Sequence, residues 1–288
     1  MIGVFIAMGV LQRIQPFRLG YFPNDSTIAL PARSSTIPSY VLYTVTVVSI
    51  VITVIAIETA IAWEYIRMKK SGIPVVLYSI YDYLLVAFFG YVATILITDV
   101  AKVAVGRLRP HFFDACGPVP VETTSLGYVS VYRCQKNPEK LFDLMKSFPS
   151  GHSSTAIYSA VFLFVYLQLR QPPWCIPAVR VAFQTVFLAL GVLTCVTRIT
   201  DNKHHQTDVL AGGILGFSVA LSAILDHLND PSPAVSRFSL SICVTCSRHS
   251  RLVPFAFCVP SVPMRGECVF MCSQCLPSAE FVKSPRVS

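Results

Sequence analysis

The chain has 288 residues, 53% of them hydrophobic and 13% charged, with a mean hydropathy of +0.60. Soluble domains carry roughly 25% charged residues, so this composition excludes an ordinary soluble domain and indicates a polytopic membrane protein. The formal net charge of +8 suits an anionic lipid surface or a phosphorylated substrate; nothing resembles a nucleic-acid module, and ten cysteines without a regular framework exclude a small secreted scaffold.

Residues 1–11 are apolar but span about half of the ~20 residues a membrane helix needs, and they lack the basic start of a signal peptide. They read as the remnant of a first span or as an interfacial segment. Residues 12–38 form a polar, proline-containing loop with the sequon Asn24-Asp25-Ser26. Full spans are predicted at 40–62, 75–105, 153–169, 179–196 and 208–225, giving an all-α polytopic fold. Glu58, Asp82 and Asp99 fall near span ends, where they are expected to reach water; a transporter would use such residues, but no internal repeat accompanies them.

Counting spans places the loops at 106–148 and 197–207 on one face of the membrane, and the basic segments Arg67–Lys70 and Arg170–Arg180 on the other. The positive-inside rule puts the second set in the cytosol. The first set is also basic, so charge alone does not orient the chain. Cys116 and Cys134 share the long loop and are able to pair, which needs an oxidising compartment. With the sequon, this favours an extracellular or lumenal face for that loop, in a plasma-membrane protein.

The domain reading is therefore 1–38 as partial first span and outer loop, 39–228 as membrane core, and 229–288 as a divergent, cytosolic, poorly ordered tail. The pairs Cys243-Val-Thr-Cys246 and Cys272-Ser-Gln-Cys275 have a separation able to close a zinc site. Against this, Cys258 and Cys268 are scattered between them and no core pattern accompanies them. Palmitoylation near the membrane, or an end unrelated to the core, are equal readings of the tail.

Three polar windows fall on the face shared by the two loops. In Lys102-Val-Ala-Val-Gly-Arg107-Leu-Arg109-Pro110, Lys102 and Arg109 are two helical turns apart at the end of a span, and Pro110 favours a break. Alone, this window equally fits a snorkelling basic helix end. In Phe148-Pro149-Ser150-Gly151-His152-Ser153-Ser154, Ser150 is positioned to cap the following helix and Gly151 permits close approach, so the helix start suits phosphate. His152 would sit at that anion site as a proton donor, or serve only as an interfacial capping residue.

In Thr197-Arg198-Ile-Thr-Asp-Asn-Lys-His204-His205-Gln-Thr-Asp208, Arg198 offers a planar fork of donors. If the helix starts near His204, Asp208 lies one turn on and accepts the imidazole Nδ1–H, leaving Nε2 as a nucleophile. A solvated loop and a His/His/Asp metal site remain alternatives at this window.

Lys-x6-Arg-Pro, Pro-Ser-Gly-His and Arg-x5-His-x3-Asp in this order resemble the three signature motifs of the type 2 phosphatidic acid phosphatase superfamily. The flanking residues look most like its lipid phosphate phosphatase branch, and the resemblance covers about residues 15–225. It implies a six-span helical core and hydrolysis of phosphatidate, lysophosphatidate, sphingosine 1-phosphate or ceramide 1-phosphate. Lys102, Arg109, Ser150, Gly151 and Arg198 would bind phosphate. His204 would become a phosphohistidine, Asp208 would orient it, and His152 would protonate the leaving alkoxide.

No metal or other cofactor is implied; the partners are the lipid substrate and the bilayer, with homo-oligomerisation left open. Thr197 departs from the serine common before the arginine but keeps a hydroxyl. The family also contains a non-enzymatic scaffold branch that has lost the nucleophile and phosphate-binding residues, and enzymes acting on polyprenyl diphosphates or sugar phosphates. Retention of His204, His152, Lys102, Arg198 and Asp208 favours an enzyme.

Overall fold

The computed structural model describes residues 9, 13–67, 73–170, 172 and 175–229. All but Gly9 of the apolar stretch at 1–11, and the tail cysteines read above, lie outside the described residues. Seven helices and one hairpin follow a single 3-10 turn at Ser26–Ile28 among the described residues: α1 (Ser39–Arg67), α2 (Ile73–Val105), α3 (Phe112–Cys116), β1 (Pro118–Thr123), β2 (Val129–Cys134), α4 (Leu141–Leu144), α5 (Gly151–Leu169), α6 (Pro177–Thr200) and α7 (Gln206–Asn229). A second 3-10 turn, Pro138–Lys140, leads into α4.

The predicted spans all appear as helices, but they divide into two kinds. Four helices, containing 39–63, 76–105, 177–200 and 206–227, are long and apolar enough to cross a membrane. They expose large apolar side chains such as Ile52, Phe89, Leu193 and Leu210, a surface that suits lipid rather than water. Helix α5 differs from the expectation of a fifth span of the same kind. It carries serines and tyrosines along its length, and its one exposed large apolar residue is Leu169, the last. It packs against α1, α2 and α6, with Tyr158, Phe162 and Tyr166 inside the main core. A helix surrounded by other helices needs no lipid-compatible surface, so its sequence is free to be more polar.

Helix α7 closes against α5 through two glycines one turn apart. A Cβ on Gly212 would overlap the Ser150 carbonyl, and one on Gly216 the Ser154 carbonyl. Without side chains the two backbones approach closely, which ties the start of α7 to the start of α5.

The loop at 106–148 has more structure than a polar connection. β1 and β2 pair antiparallel, with Pro118 opposite Cys134 and Thr123 opposite Val129. The expected disulfide Cys116–Cys134 staples the base of this hairpin. Tyr21 forms a bridge with Val129, and Tyr21, Phe112, Tyr132 and Met145 share a second apolar cluster. The segment before α1 is thus folded onto the long loop, and among the described residues the regular structure is helical apart from one hairpin.

Glu58 does not reach water as its position near a span end suggested. It is 2% exposed and lies between Tyr166 Oη (3.0 Å) and Arg170, which donates from Nε (2.9 Å) and Nη2 (2.6 Å). A carboxylate removed from water needs such a paired, bidentate partner, and here the pair clamps the ends of α1 and α5. Asp82 faces His227 at 3.6 Å and Asp99 faces Lys102 at 3.3 Å.

Candidate active site

Helix α5 begins where the sequence suggested. Ser150 is extended (φ −72°, ψ 114°), and its Oγ accepts from the Ser153 amide (3.4 Å) and from Ser153 Oγ (3.0 Å). Its own amide donates to the Asp208 carbonyl at 3.0 Å, so the cap is tied directly to the first turn of α7. The next residue, Gly151, leaves room for a cation: a Cβ there would lie 3.0 Å from Lys102 Nζ. The ammonium therefore rests against the helix start, where free amides and the helix dipole already favour an anion.

Arg109 reaches the same region by a different route from that expected. Helix α2 ends at Val105 and Gly106 takes a left-handed conformation (φ 65°), so Arg109 is not two turns along from Lys102 on one helix. The chain turns before Pro110 because Gly106 can adopt a conformation that costs a side-chain-bearing residue 1–2 kcal/mol or so. Arg109 is instead held by its amide on the Leu144 carbonyl (2.9 Å), by Nε on the Asp143 carbonyl (2.9 Å) and by Nη2 on Asp143 Oδ1 (2.7 Å).

Arg198, in the last turn of α6, is 1% exposed. Nη2 donates to Asp201 Oδ2 at 3.1 Å and to Thr197 Oγ1 at 3.4 Å, and Nη1 reaches Ser35 Oγ at 3.5 Å. Its Nε is buried with no hydrogen-bond partner. An orphaned guanidinium N–H in a dry site costs free energy, and an anion that accepts from it removes that cost.

His204 is 5% exposed and sits in the turn just before α7, which starts at Gln206. Its Nδ1 lies 2.7 Å from the Ser147 carbonyl and 4.0 Å from Asp208 Oδ2. The partner expected from the sequence, Asp208, therefore does not take the Nδ1 proton. A carbonyl can only accept, so Nδ1 carries the hydrogen and Nε2 keeps its lone pair in the neutral ring.

Asp208 is saturated elsewhere: Arg107 Nη1 donates to Oδ1 (2.6 Å), and Oδ2 accepts from Ser147 Oγ (2.6 Å), the His205 amide (3.0 Å) and His205 Nδ1 (3.1 Å). The carboxylate thus holds Ser147, whose carbonyl in turn orients His204. Burial pushes the His204 pKa well below 6.5, and the positive charges of Arg109 and Lys102 push the same way against the Ser147 and Asp208 interactions.

His152, in the first turn of α5, donates from Nε2 to the Ile37 carbonyl at 3.2 Å. Burial, reinforced by the Arg198, Lys102 and Arg109 charges, brings its pKa down to about 4. The structure thus brings Lys102, Arg109, Ser150, Gly151, His152, Arg198, His204 and Asp208 to one end of the helical bundle.

Sequence reasoning singled out neither Ser147 nor Asp143, and gave Arg107, within the first window, no role. It also passed over His111, which is 5% exposed and donates from Nδ1 to the Asn202 carbonyl (2.7 Å), joining the first motif to the third. The residues around each motif, Arg107-Leu-Arg109-Pro110-His111 and Ser147-Phe-Pro-Ser150, carried the available signal: polar side chains in otherwise apolar or turn-forming text. Among the described residues no group of three or more His, Cys, Asp or Glu side chains is arranged to hold a metal ion.

The PAP2 superfamily profile matches residues 83–230. Phospholipid phosphatase 1 of Rattus norvegicus is 34% identical over 215 residues, which is 74% of this chain and 76% of that protein. Phospholipid phosphatase 2 of Rattus norvegicus is 32% identical over 205 residues, 71% of this chain and 74% of that protein. A putative phosphatidate phosphatase of Drosophila melanogaster is 28% identical over 238 residues, 75% of this chain and 62% of that protein. No solved structure matches the chain. The three motifs, their convergence at one end of a helical membrane core and these similarities place the chain in the PAP2 superfamily, within its lipid phosphate phosphatase branch.

Proposed function

We propose that this protein hydrolyses the phosphate monoester of a membrane lipid, such as phosphatidate, lysophosphatidate, sphingosine 1-phosphate or ceramide 1-phosphate, through a phosphohistidine. The observations that carry this reading are a buried Arg198 Nε without a hydrogen-bond partner and a buried His204 whose Nε2 keeps its lone pair, both in the one turn closed by the His204 amide on the Arg198 carbonyl (3.3 Å). An anion acceptor and a nucleophile's target are the same group if that group is phosphate. Lys102, Arg109, Arg198 and the capped start of α5 at Ser150 and Gly151 bind the phosphoryl oxygens and offset the charge that develops on them.

In the first step His204 Nε2 forms a bond to phosphorus as the P–O bond to the lipid breaks. The leaving alkoxide takes a proton from His152. In the second step the neutral His152 accepts a proton from water as that water attacks the phosphohistidine, releasing phosphate and restoring both rings. Asp208 acts through Ser147 and through the turn at His205 rather than on His204 directly. The cationic side chains supply the electrostatic stabilisation, so the reaction is proposed to need no divalent metal.

The test is phosphate release from a panel of these lipids by purified protein, with and without excess EDTA. Activity should persist in EDTA and vanish in His204→Ala, with no acid-labile phosphoenzyme in the variant. Loss on chelation that added metal restores would overturn the mechanism. In kcat/KM, which reports formation of the phosphohistidine and not its hydrolysis, His152→Ala should lose about 10²–10⁴-fold on a lipid phosphate, the usual worth of general acid help, but much less on an aryl phosphate whose phenolate needs little protonation. If the aryl phosphate instead rescues His204→Ala, the two roles are reversed.

A further inference from the structure

One stretch outside the three motifs touches all of them. Within residues 30–37, the Leu30 amide donates to the Pro110 carbonyl (2.9 Å), beside the first motif. The Pro31 carbonyl accepts from Asn202 Nδ2 (3.0 Å), and Arg33 Nη1 donates to the Thr200 carbonyl (3.0 Å), both in the third. Thr36 grips Asp201 twice, through its amide to Oδ2 (2.8 Å) and its Oγ1 to Oδ1 (2.7 Å). The following residue, Ile37, offers its carbonyl to His152 Nε2 in the second motif at 3.2 Å.

Residues 30–36 are exposed, so apolar burial does not hold them in place. The hydrogen bonds do. Asp201 is a firm anchor for them because its other contact is the Arg198 guanidinium. Although burial acts the other way, the two Thr36 bonds and the Arg198 charge keep the Asp201 carboxyl below its ordinary pKa, so it stays an acceptor throughout the neutral range.

We propose that residues 30–37 form a strap whose Thr36–Asp201 clasp positions the His152 ring for proton transfer to the leaving group. The proposal rests on the lipid phosphatase reading above, with His152 as the acid. Two bonds from one residue to one carboxylate fix the orientation of Thr36 and hence of the adjoining Ile37 carbonyl. That carbonyl only accepts, so it retains a hydrogen on Nε2; while the bond holds, the proton that the imidazolium exchanges is the one on Nδ1. Thr36 itself bonds neither His204 nor a phosphate-binding cation, and Asp201 and Ser35 should keep their own bonds to Arg198 when the Thr36 bonds are lost, so Thr36 is a positioning residue acting through His152.

Loosening the clasp should therefore reproduce the leaving-group signature of His152→Ala in weaker form. Misplacing a reacting group by about 1 Å costs on the order of 10²-fold. With full-length protein in detergent, Thr36→Val should lower kcat/KM, which reports the step that expels the leaving group, about 10- to 100-fold on a lipid phosphate. On an aryl phosphate it should stay within about threefold of the native protein, a result that also shows the variant to be folded. Thr36→Ser, which keeps both bonds, should restore the lipid rate, and Asn202→Gly, which frees the strap at Pro31 while tolerating the left-handed backbone there (φ 56°), should show the same substrate pattern.

Equal loss on both substrates in Thr36→Val, or no loss on either, would overturn the proposal. Should Thr36→Val fail to fold, Asn202→Gly decides by the same comparison. If His152→Ala itself shows no dependence on leaving group, the assignment of the acid fails and the strap's role falls with it. If His152→Ala shows that dependence and the strap variants do not, only the strap proposal fails.

Discussion

At the scale of single residues, the two histidines share a consequence of being buried among cations. The pKa of His204 lies below 6.5 in the folded protein, so its ring is neutral at pH 7 and loses the Nε2 lone pair only when pH falls through that depressed value. The acid limb of kcat/KM should therefore lie below pH 6.5. His152, at about 4 in the free protein, is also neutral at pH 7, yet the proposed acid must carry a proton. A bound phosphate dianion answers this: it offsets the field of Arg198, Lys102 and Arg109 and raises the His152 pKa in the complex.

The alkaline limb of kcat should accordingly lie at a higher pH than about 4, and His152→Ala should abolish that limb on a lipid phosphate. Rate measurements across pH 4–9 on the native protein and the variant check both statements. An acid limb near or above 7 would contradict the burial argument for His204. Ser147 offers a second test at this scale. Its hydroxyl makes a 2.6 Å bond to the buried Asp208 carboxylate while its carbonyl holds His204. Ser147→Ala keeps the carbonyl and removes one charged hydrogen bond, so it should cost about 1.5–3 kcal/mol of stability, read by thermal unfolding in detergent, and affect rate less than Asp208→Ala.

Among the elements, α5 and α7 carry the alignment of the site. Their contact at Gly212 lies directly behind the Ser150 cap, and the Ser150 amide is bonded to the Asp208 carbonyl. Adding one methyl at Gly212 forces it against a backbone carbonyl, which cannot rotate away as a flexible side chain can. Gly212→Ala should destabilise by about 1–3 kcal/mol, as overpacking does, and lower kcat because the cap and the His204 turn move apart. Gly213, one residue on, supplies the control: a Cβ there meets only Ile157 Cγ1 at 3.9 Å, an ordinary contact. Gly213→Ala should be neutral or slightly stabilising, since a helical glycine gives up more backbone freedom than alanine on folding. Paired melting and rate measurements of the two variants distinguish tight backbone packing from a general intolerance of substitution in α7.

For the whole molecule, the question is which compartment the site faces. The segment bearing the exposed Asn24 is folded onto the loop that contains the Cys116–Cys134 disulfide, through the Tyr21–Val129 bridge, and that same loop supplies Arg107, Arg109 and Ser147 to the site. Sequon, disulfide and site thus share one side, and because disulfides persist in oxidising compartments we propose that this side is extracellular or lumenal. Intact cells should hydrolyse an added, impermeant lysophospholipid phosphate, and Asn24→Gln should remove an endoglycosidase-sensitive mobility shift. Hydrolysis only after permeabilisation, with no such shift, would count against an outward site in the plasma membrane. Protease protection of a tag placed in the long loop then separates a lumenal site from a cytosolic one.

Much of this architecture is local and so is written into short stretches of chain. Apolar runs of helical length marked every long helix, Ser150 announced the start of α5 through its capping oxygen, and the motif spacings named the residues that converge. Cys116 and Cys134 were close enough in sequence to suggest their pairing. What the tertiary structure alone decided are the partners across long separations. The Nδ1 proton of His204 goes to Ser147, 57 residues away, although Asp208 is one turn along the chain. Arg170 meets Glu58 across 112 residues, and Thr36 meets Asp201 across 165.

The central place of α5 belongs with these. Hydropathy reports that a helix avoids water; whether lipid or other helices surround it depends on how the bundle closes. Sequence spacing likewise shows which donors and acceptors are available, but the backbone geometry of a turn decides which of them comes within 3 Å. At His204 the helix begins two residues later than its histidine, and that small shift hands the ring from a carboxylate to a carbonyl.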